Sequence, residues 1–165
     1  MALVTTSSFS IMLNGSPYKT FKPSRGLGQG DPLSPFLFIL MMEGIGNAIK
    51  YAKVEGKIQG LKLTINGDTL THQQFFDNTM LQGTPTVKEA QALKQILNDF
   101  ALAVSTEVSL DKSKVFFFNT NISIRRNLTI ILAFQRDQLP SKYLGMPLTN
   151  KPLSKGVWEP VTNKI

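Results

Sequence analysis

Apolar residues alternate from Phe9 through Ile11 to Leu13 and run into Asn14-Gly15. That dipeptide tolerates the positive φ values of a type I′ turn, so the pattern predicts a β-hairpin over residues 8–22. Pro23 and the glycines at 26, 28 and 30 are too dense for a regular element and predict a loop. The period then lengthens. Leu33, Phe36, Leu37, Leu40, Met41, Ile45, Ala48, Ile49 and Ala52 recur at helical spacing, with Asp31 or Ser34 available as cap and Pro32 or Pro35 in the first turn. Gly44 and Gly46 each cost such a helix about 1 kcal/mol relative to alanine, which predicts a close packing partner there.

A second helix is predicted from Thr86, where T-x-x-E with Glu89 forms a capping box. Its apolar stripe is Ala90, Leu93, Ile96, Leu97, Phe100, Ala101 and Val104. Residues 61–66 and 69–82 between the helices carry strand patterns, the second bent at residues 76–78. Lys114–Phe118 predicts a further strand, Leu128–Phe134 fits helix or strand, and Tyr143–Leu148 predicts extended chain. The expected fold class is α+β, with an antiparallel sheet packed against two main helices.

Composition narrows the class without changing that picture. With 165 residues, 42% hydrophobic and 18% charged, the chain suits one globular domain. The apolar run from Pro35 to Met42 is too short to cross a bilayer, and the first residues lack the basic start and continuous apolar stretch of a signal peptide. A soluble intracellular protein of nucleus or cytoplasm is therefore expected, with no membrane partner. The absence of cysteine excludes disulfides and thiolate zinc sites.

Charge is unevenly placed. Residues 1–111 hold nine Lys/Arg and nine Asp/Glu, whereas residues 112–165 hold nine against two, which accounts for the net charge of +7. A basic C-terminal third suits a phosphate backbone, since neutralising phosphates releases counterions; it also suits a plain solvated face. The candidate nucleic-acid contacts are Lys112, Lys114, Arg125, Arg126, Arg136 and Lys142.

Few residues promise chemistry by themselves. Asp77-Asn78 at a bend could offer hard oxygen ligands to Mg²⁺, or simply bond the local backbone as turn residues do. His72 is the sole histidine, so no histidine pair or triad exists. Ser34 and Ser113 lack a histidine base nearby in sequence, and "RGLGQGDP" matches no phosphate-loop pattern.

The order of motifs adds a specific resemblance. "SRGLGQGDPLSPFLFIL" at 24–40 resembles the R-G-x-x-Q-G-D-P-x-S-P block of reverse transcriptases of LINE-type (non-LTR) retrotransposons, particularly those of plants. "THQQFFDNTMLQ" lies where that family has a strand, F-A-D-D and a second strand. "LNDFALAVSTEVSLDKSKVFF" is similar to its helix and L-x-x-x-K-S strand, "LPSKYLGMPL" to its L-P-x-K-Y-L-G-x-P-L segment, and "VWEPVTNKI" to its W-x-P-V-x-x-K-I.

The resemblance implies a partial polymerase palm over residues 1–165, with residues 140–165 leading towards the thumb and with the fingers and most of the thumb absent. In the family, two Mg²⁺ ions sit between an upstream aspartate and the F-A-D-D hairpin. Asp77 matches the first acid of that hairpin, Asn78 replaces the second, and Phe76 replaces the small alanine and is expected to crowd the bend. Gln29, Gly30, Asp31 and Pro32 match residues that position template and nucleotide, and Lys114 matches the K-S lysine near the nucleotide site. Gln73 and Gln82 stand where the family has apolar residues and are expected to loosen the palm core.

From the altered acid pair the sequence is read as a polymerase-inactive remnant, not an enzyme, with no cofactor unless Mg²⁺ serves a residual activity. Residual nucleic-acid binding, or a protein partner or second copy at an exposed palm edge, is expected instead. The alternatives are part of an active RNA-directed DNA polymerase completed by another chain, and a regulatory or toxic interaction factor.

Overall fold

A computed structural model describes residues 8–22, 26–28, 30–63 and 67–150. The chain opens with the hairpin that Asn14-Gly15 predicts: β1 (Phe9–Leu13) pairs antiparallel with β2 (Ser16–Phe21), and the two turn residues have φ of 50° and 81°. Phe9 and Phe21 face each other across the ladder with stacked rings 6.1 Å apart. Both strands are exposed along their whole length.

Helix α1 (Ser34–Val54) follows, with a proline in its first turn. Neither predicted cap acts as one. Leu33 holds the cap position without a side-chain bond, Asp31 Oδ1 instead accepts from Leu33 N at 2.9 Å, and the Ser34 hydroxyl donates to Gly28 O at 2.8 Å. Only the C-terminal half of α1 is buried: Ile45, Ile49 and Ala52 are in the core, whereas Phe36, Ile39 and Leu40 face solvent.

Helix α2 (Val87–Val104) begins at Thr86 as predicted, and Thr86 Oγ1 accepts from Glu89 N at 3.3 Å. The reciprocal half of the capping box does not form. The Glu89 side chain turns inward, is only 2% exposed, and accepts from Gln59 N and Gly60 N, both at 3.1 Å. The Thr84 hydroxyl donates to its other oxygen. Glu89 thus satisfies two backbone donors of the connection that leaves α1, a long-range use of an acid whose sequence spacing indicates only a local one.

The core lies between α1 and α2. Ile45, Ile49, Ala52, Ile58 and Leu97 form its centre, with Leu81, Leu93, Ile96 and Phe100 packed around them. A third helix, α3 (Ile122–Leu132), packs on α2 and buries Leu128. Lys94 ties the two together, donating to Leu132 O at 3.0 Å while its ammonium sits 5.4 Å from the centre of the Phe134 ring.

The fold class is α+β, but the expected single antiparallel sheet on two helices is not what forms. Among the described residues there are three helices and five separate two-stranded ladders. The remaining ladders are β3 (Leu61–Lys62) with β4 (Thr69–Leu70), β5 (His72–Phe75) with β6 (Asn78–Leu81), β7 (Lys114–Val115) with β8 (Gln135–Arg136), and β9 (Ser141–Tyr143) with β10 (Met146–Leu148). The β7–β8 pair is parallel, the others antiparallel. The strand expected over Lys114–Phe118 stops after two residues, and the extended chain expected over Tyr143–Leu148 is broken by a turn at Leu144-Gly145.

Candidate functional site

The Asp77 bend is a two-residue hairpin loop. In the β5–β6 register Phe75 opposes Asn78, leaving Phe76 and Asp77 to connect the strands. Phe76 takes φ of +53°, a backbone region that bulky side chains rarely adopt. Two contacts hold it there. The Phe76 ring stacks on Phe38 of α1 with centroids 5.2 Å apart, and Tyr143 of β9 donates its hydroxyl to Asn78 O at 3.4 Å. Burial pushes the Tyr143 phenol above its ordinary range.

The expected crowding by Phe76 does not occur. Its ring swings out over α1 and is 63% exposed, so it clamps the bend from outside without filling it.

At the base of the hairpin a helix glycine brings β5 against α1. A Cβ at Gly46 would lie 3.3 Å from both Gln74 Oε1 and His72 Nε2. Gln74 donates to Met42 O at 3.2 Å through this close approach. This is the packing partner that the glycines predict, realised at Gly46; Gly44 meets only Phe100, at 4.0 Å. His72 is half-buried, its Nδ1 is 3.0 Å from Thr71 Oγ1, and burial is the main cause that lowers its pKa. It takes no part in the Asp77 turn. Gln82 Nε2 donates to Gln73 Oε1 at 3.2 Å and Gln73 is exposed, so the expected burial cost falls on Gln82 alone, whose Oε1 is buried without a hydrogen bond among the described residues.

Asp77 itself is exposed, and its Oδ1 accepts from Asn78 Nδ2 at 3.2 Å. Sequence thus left two readings, turn chemistry and metal ligation, and the side-chain bond between neighbours belongs to the first. No group of three or more His, Cys, Asp or Glu side chains among the described residues is arranged to hold a metal ion. One carboxylate and one amide, facing solvent, do not make a self-sufficient site for a pair of divalent cations.

The loop before α1 is folded onto the helix start. Asp31 N donates to Gly28 O at 3.3 Å, Ser34 N to Asp31 O at 3.1 Å, and Gly30 takes φ of +89°. The Asp31 carboxylate is engaged by Leu33 N, and Pro32 precedes it into the helix. Gln29, the remaining residue of that predicted set, lies outside the described residues.

The predicted basic residues divide. Lys114 forms an ion pair with Asp137 at 2.6 Å, which holds the Asp137 carboxyl below its ordinary range. Arg125, in the first turn of α3, donates from Nε to Thr120 O at 2.6 Å. Arg125 and Arg136 line one cavity of about 330 Å³, and Lys112, Arg126 and Lys142 are exposed elsewhere on the surface. Two residues that shape the Asp77 turn, Phe38 and Tyr143, were missed by sequence reasoning. Tyr143 is 65 positions from Asn78, and no periodic signal links them.

Comparison with known proteins agrees with the motif order. Residues 2–148 match the family described as reverse transcriptase (RNA-dependent DNA polymerase). An uncharacterized mitochondrial protein of Arabidopsis thaliana is 41% identical over 68 residues, which cover 41% of this chain and 56% of that protein. The expectation that the chain is not an enzyme is overturned by the family match, because the family is one of polymerases. No helix among the described residues is long and apolar enough to cross a membrane.

Proposed function

The chain belongs to the reverse transcriptase (RNA-dependent DNA polymerase) family, and from that premise we propose that it is part of the palm of an RNA-directed DNA polymerase of the LINE type, completed by residues from another polypeptide or segment. Asp77 contributes one carboxylate to the reaction centre. The acids it needs beside it come from outside the described residues, since Asn78 carries no charge and no acidic cluster surrounds the turn.

The observation that carries this reading is the coincidence of the Asp77 turn with an uncovered apolar surface. Phe76 stacks on Phe38, and along the same N-terminal half of α1 Phe36, Ile39 and Leu40 face solvent, with Phe36 and Leu40 each 71% exposed. The β5–β6 ladder has no third strand among the described residues. Bare apolar helix surface and open strand edges are the features through which a polypeptide recruits a partner. A protein partner here therefore completes the neighbourhood of Asp77 instead of serving an unrelated regulatory role.

Primer extension on an RNA template tests the reading. The chain is purified from a host that co-expresses the complementary palm and fingers segment, and incorporation is measured in the presence of Mg²⁺ or Mn²⁺. Template-dependent incorporation that is lost in Asp77→Asn is the expected result. Incorporation that is equal in the wild type and Asp77→Asn removes Asp77 from the reaction centre and sinks the proposal.

A further inference from the structure

We propose that the cavity between α3 and the segment following β8 is a binding pocket for a phosphate group, separate from the Asp77 turn. The pocket holds about 330 Å³ and is lined by Asn119, Arg125, Arg136, Asp137, Gln138 and Asn150, together with one phenylalanine and one leucine. Its volume equals about eleven waters of liquid, enough for a phosphate and the sugar attached to it.

The charge within it is unbalanced in one direction. Asp137 is the acid in the lining, and both its oxygens are engaged: Oδ2 by Lys114 at 2.6 Å and Oδ1 by Gln138 N at 2.8 Å. Both guanidinium groups line the cavity, and neither has an acidic partner among the described residues. Arg136 makes no hydrogen bond or ion pair among the described residues, and Arg125 uses only Nε, towards Thr120 O. Its two terminal nitrogens make no hydrogen bond among the described residues.

The rest of the lining is rich in donors. The side-chain amides of Asn119, Gln138 and Asn150 have no hydrogen-bond partner among the described residues. A guanidinium presents a planar fork that matches two oxygens of an oxyanion, and two forks with three amides offer more donors than a carboxylate has acceptor sites to use. A phosphate, with three or four acceptor oxygens, fits the set better. An apolar ligand is poorly served, because it would leave these donors desolvated and unpaired.

Such a phosphate has two sources, a free nucleotide or the backbone of a nucleic-acid strand, and both present the same oxygens to the arginines. Binding of a labelled single-stranded RNA of 12 nucleotides to the full chain is followed by fluorescence anisotropy at several salt concentrations. The Arg136→Gln variant is expected to bind roughly 5- to 20-fold more weakly, with a log–log salt slope shallower by about 0.7, the loss of one single-strand phosphate contact. Lys62→Gln removes a positive charge from exposed β3 and serves as the control, with affinity within about twofold of the wild type. Equal weakening by both variants, or no weakening by Arg136→Gln, overturns the pocket, since binding is then diffuse or elsewhere.

Competition separates the sources. Adenosine 5′-monophosphate that displaces the strand from the wild type, where adenosine does not, supports a pocket that accepts a free nucleotide phosphate. A strand that resists the monophosphate yet still depends on Arg136 supports a backbone phosphodiester. Displacement by adenosine as strong as by the monophosphate overturns phosphate recognition. Arg136 is exposed, so its substitution leaves the fold intact, and an unchanged thermal midpoint verifies this. The assay involves no DNA synthesis, so its outcome stands apart from that of primer extension.

Discussion

Phe38 and Phe76 stack at 5.2 Å between centroids and 27° between planes, although one lies on a helix and the other in a hairpin loop. The stack fixes the orientation of the turn that presents Asp77, and it offsets part of the strain of an aromatic residue at φ of +53°. A double-mutant cycle of Phe38→Ala and Phe76→Ala in urea denaturation is expected to give a coupling of about 0.5 kcal/mol, the lower end for aromatic pairs because Phe76 is largely exposed. Additive single effects would show that the rings only happen to lie together.

Phe76→Gly separates strain from stacking at the same position. Glycine removes the φ penalty of roughly 1 kcal/mol but also removes the ring, so a net stability change under about 1 kcal/mol is expected. Phe76→Val, which keeps the strain and loses the stack, should be the less stable of the two by the same measurement.

Asn78→Asp places a second carboxylate beside Asp77. Calorimetric titration with Mn²⁺ should show affinity tighter on the order of tenfold than in the wild type, since ligand charge sets the strength of hard-cation sites. The same substitution in Asp77→Asn should give no gain over Asp77→Asn alone by more than the single charge provides. Equal Mn²⁺ affinity with and without the second acid would mean that the turn does not direct its carboxylates to a common point.

Glu89 and Gly83 form a second pair with a sharp steric requirement. A Cβ at Gly83 would lie 2.7 Å from Glu89 Oε1, so Gly83→Ala must displace the buried carboxylate from Gln59 N and Gly60 N. Glu89→Ala strands those two donors directly and is expected to destabilise the chain by roughly 2–5 kcal/mol. Glu89→Gln retains a carbonyl oxygen for the two N–H groups and should recover most of that loss in equilibrium denaturation.

His72 gives the stability a pH dependence. Burial, helped by the Lys50 charge and opposed by Glu43, lowers its pKa from the ordinary value of 6.5. The folded chain binds this proton less readily than the unfolded chain. The His72 contribution is therefore intact above the unfolded value and is lost as pH falls through it towards the lower folded value. Urea midpoints measured at pH 7.5 and 5.5 should differ more in the wild type than in His72→Gln. Asp137 and Glu55, whose carboxyls Lys114 and Lys57 respectively hold below their ordinary range, act only at lower pH.

The parts of this fold that sequence made legible are those fixed by local chemistry. Asn14-Gly15 closes its hairpin, Thr86 starts α2, and the seven apolar positions at helical spacing are the buried or half-buried stripe of that helix. Helix α3 was not legible. Its sequence ISIRRNLTIIL is rich in β-branched residues that suit strand and helix alike, and packing against α2 decides between them. The Leu144-Gly145 turn was hidden for a different reason: Leu144 adopts φ of +51° without being a residue that advertises it.

At the site, the bend at Asp77 could be seen in advance, but the groups that fix it could not. Phe38 was one apolar residue among many on α1, and Tyr143 reaches Asn78 from the β9–β10 ladder, 65 positions away in the chain. Glu89 shows the same limit from the other side. Its spacing from Thr86 identified a helix start correctly and its partners wrongly, because the backbone donors it satisfies belong to a distant connection.

Gly46 leaves room for the side-chain ends of His72 and Gln74, two residues of the strand that leads into the Asp77 loop. A methyl group at that position would press both side-chain ends aside by a few tenths of an ångström, and so act on the strand that carries the turn without altering any residue in the turn itself.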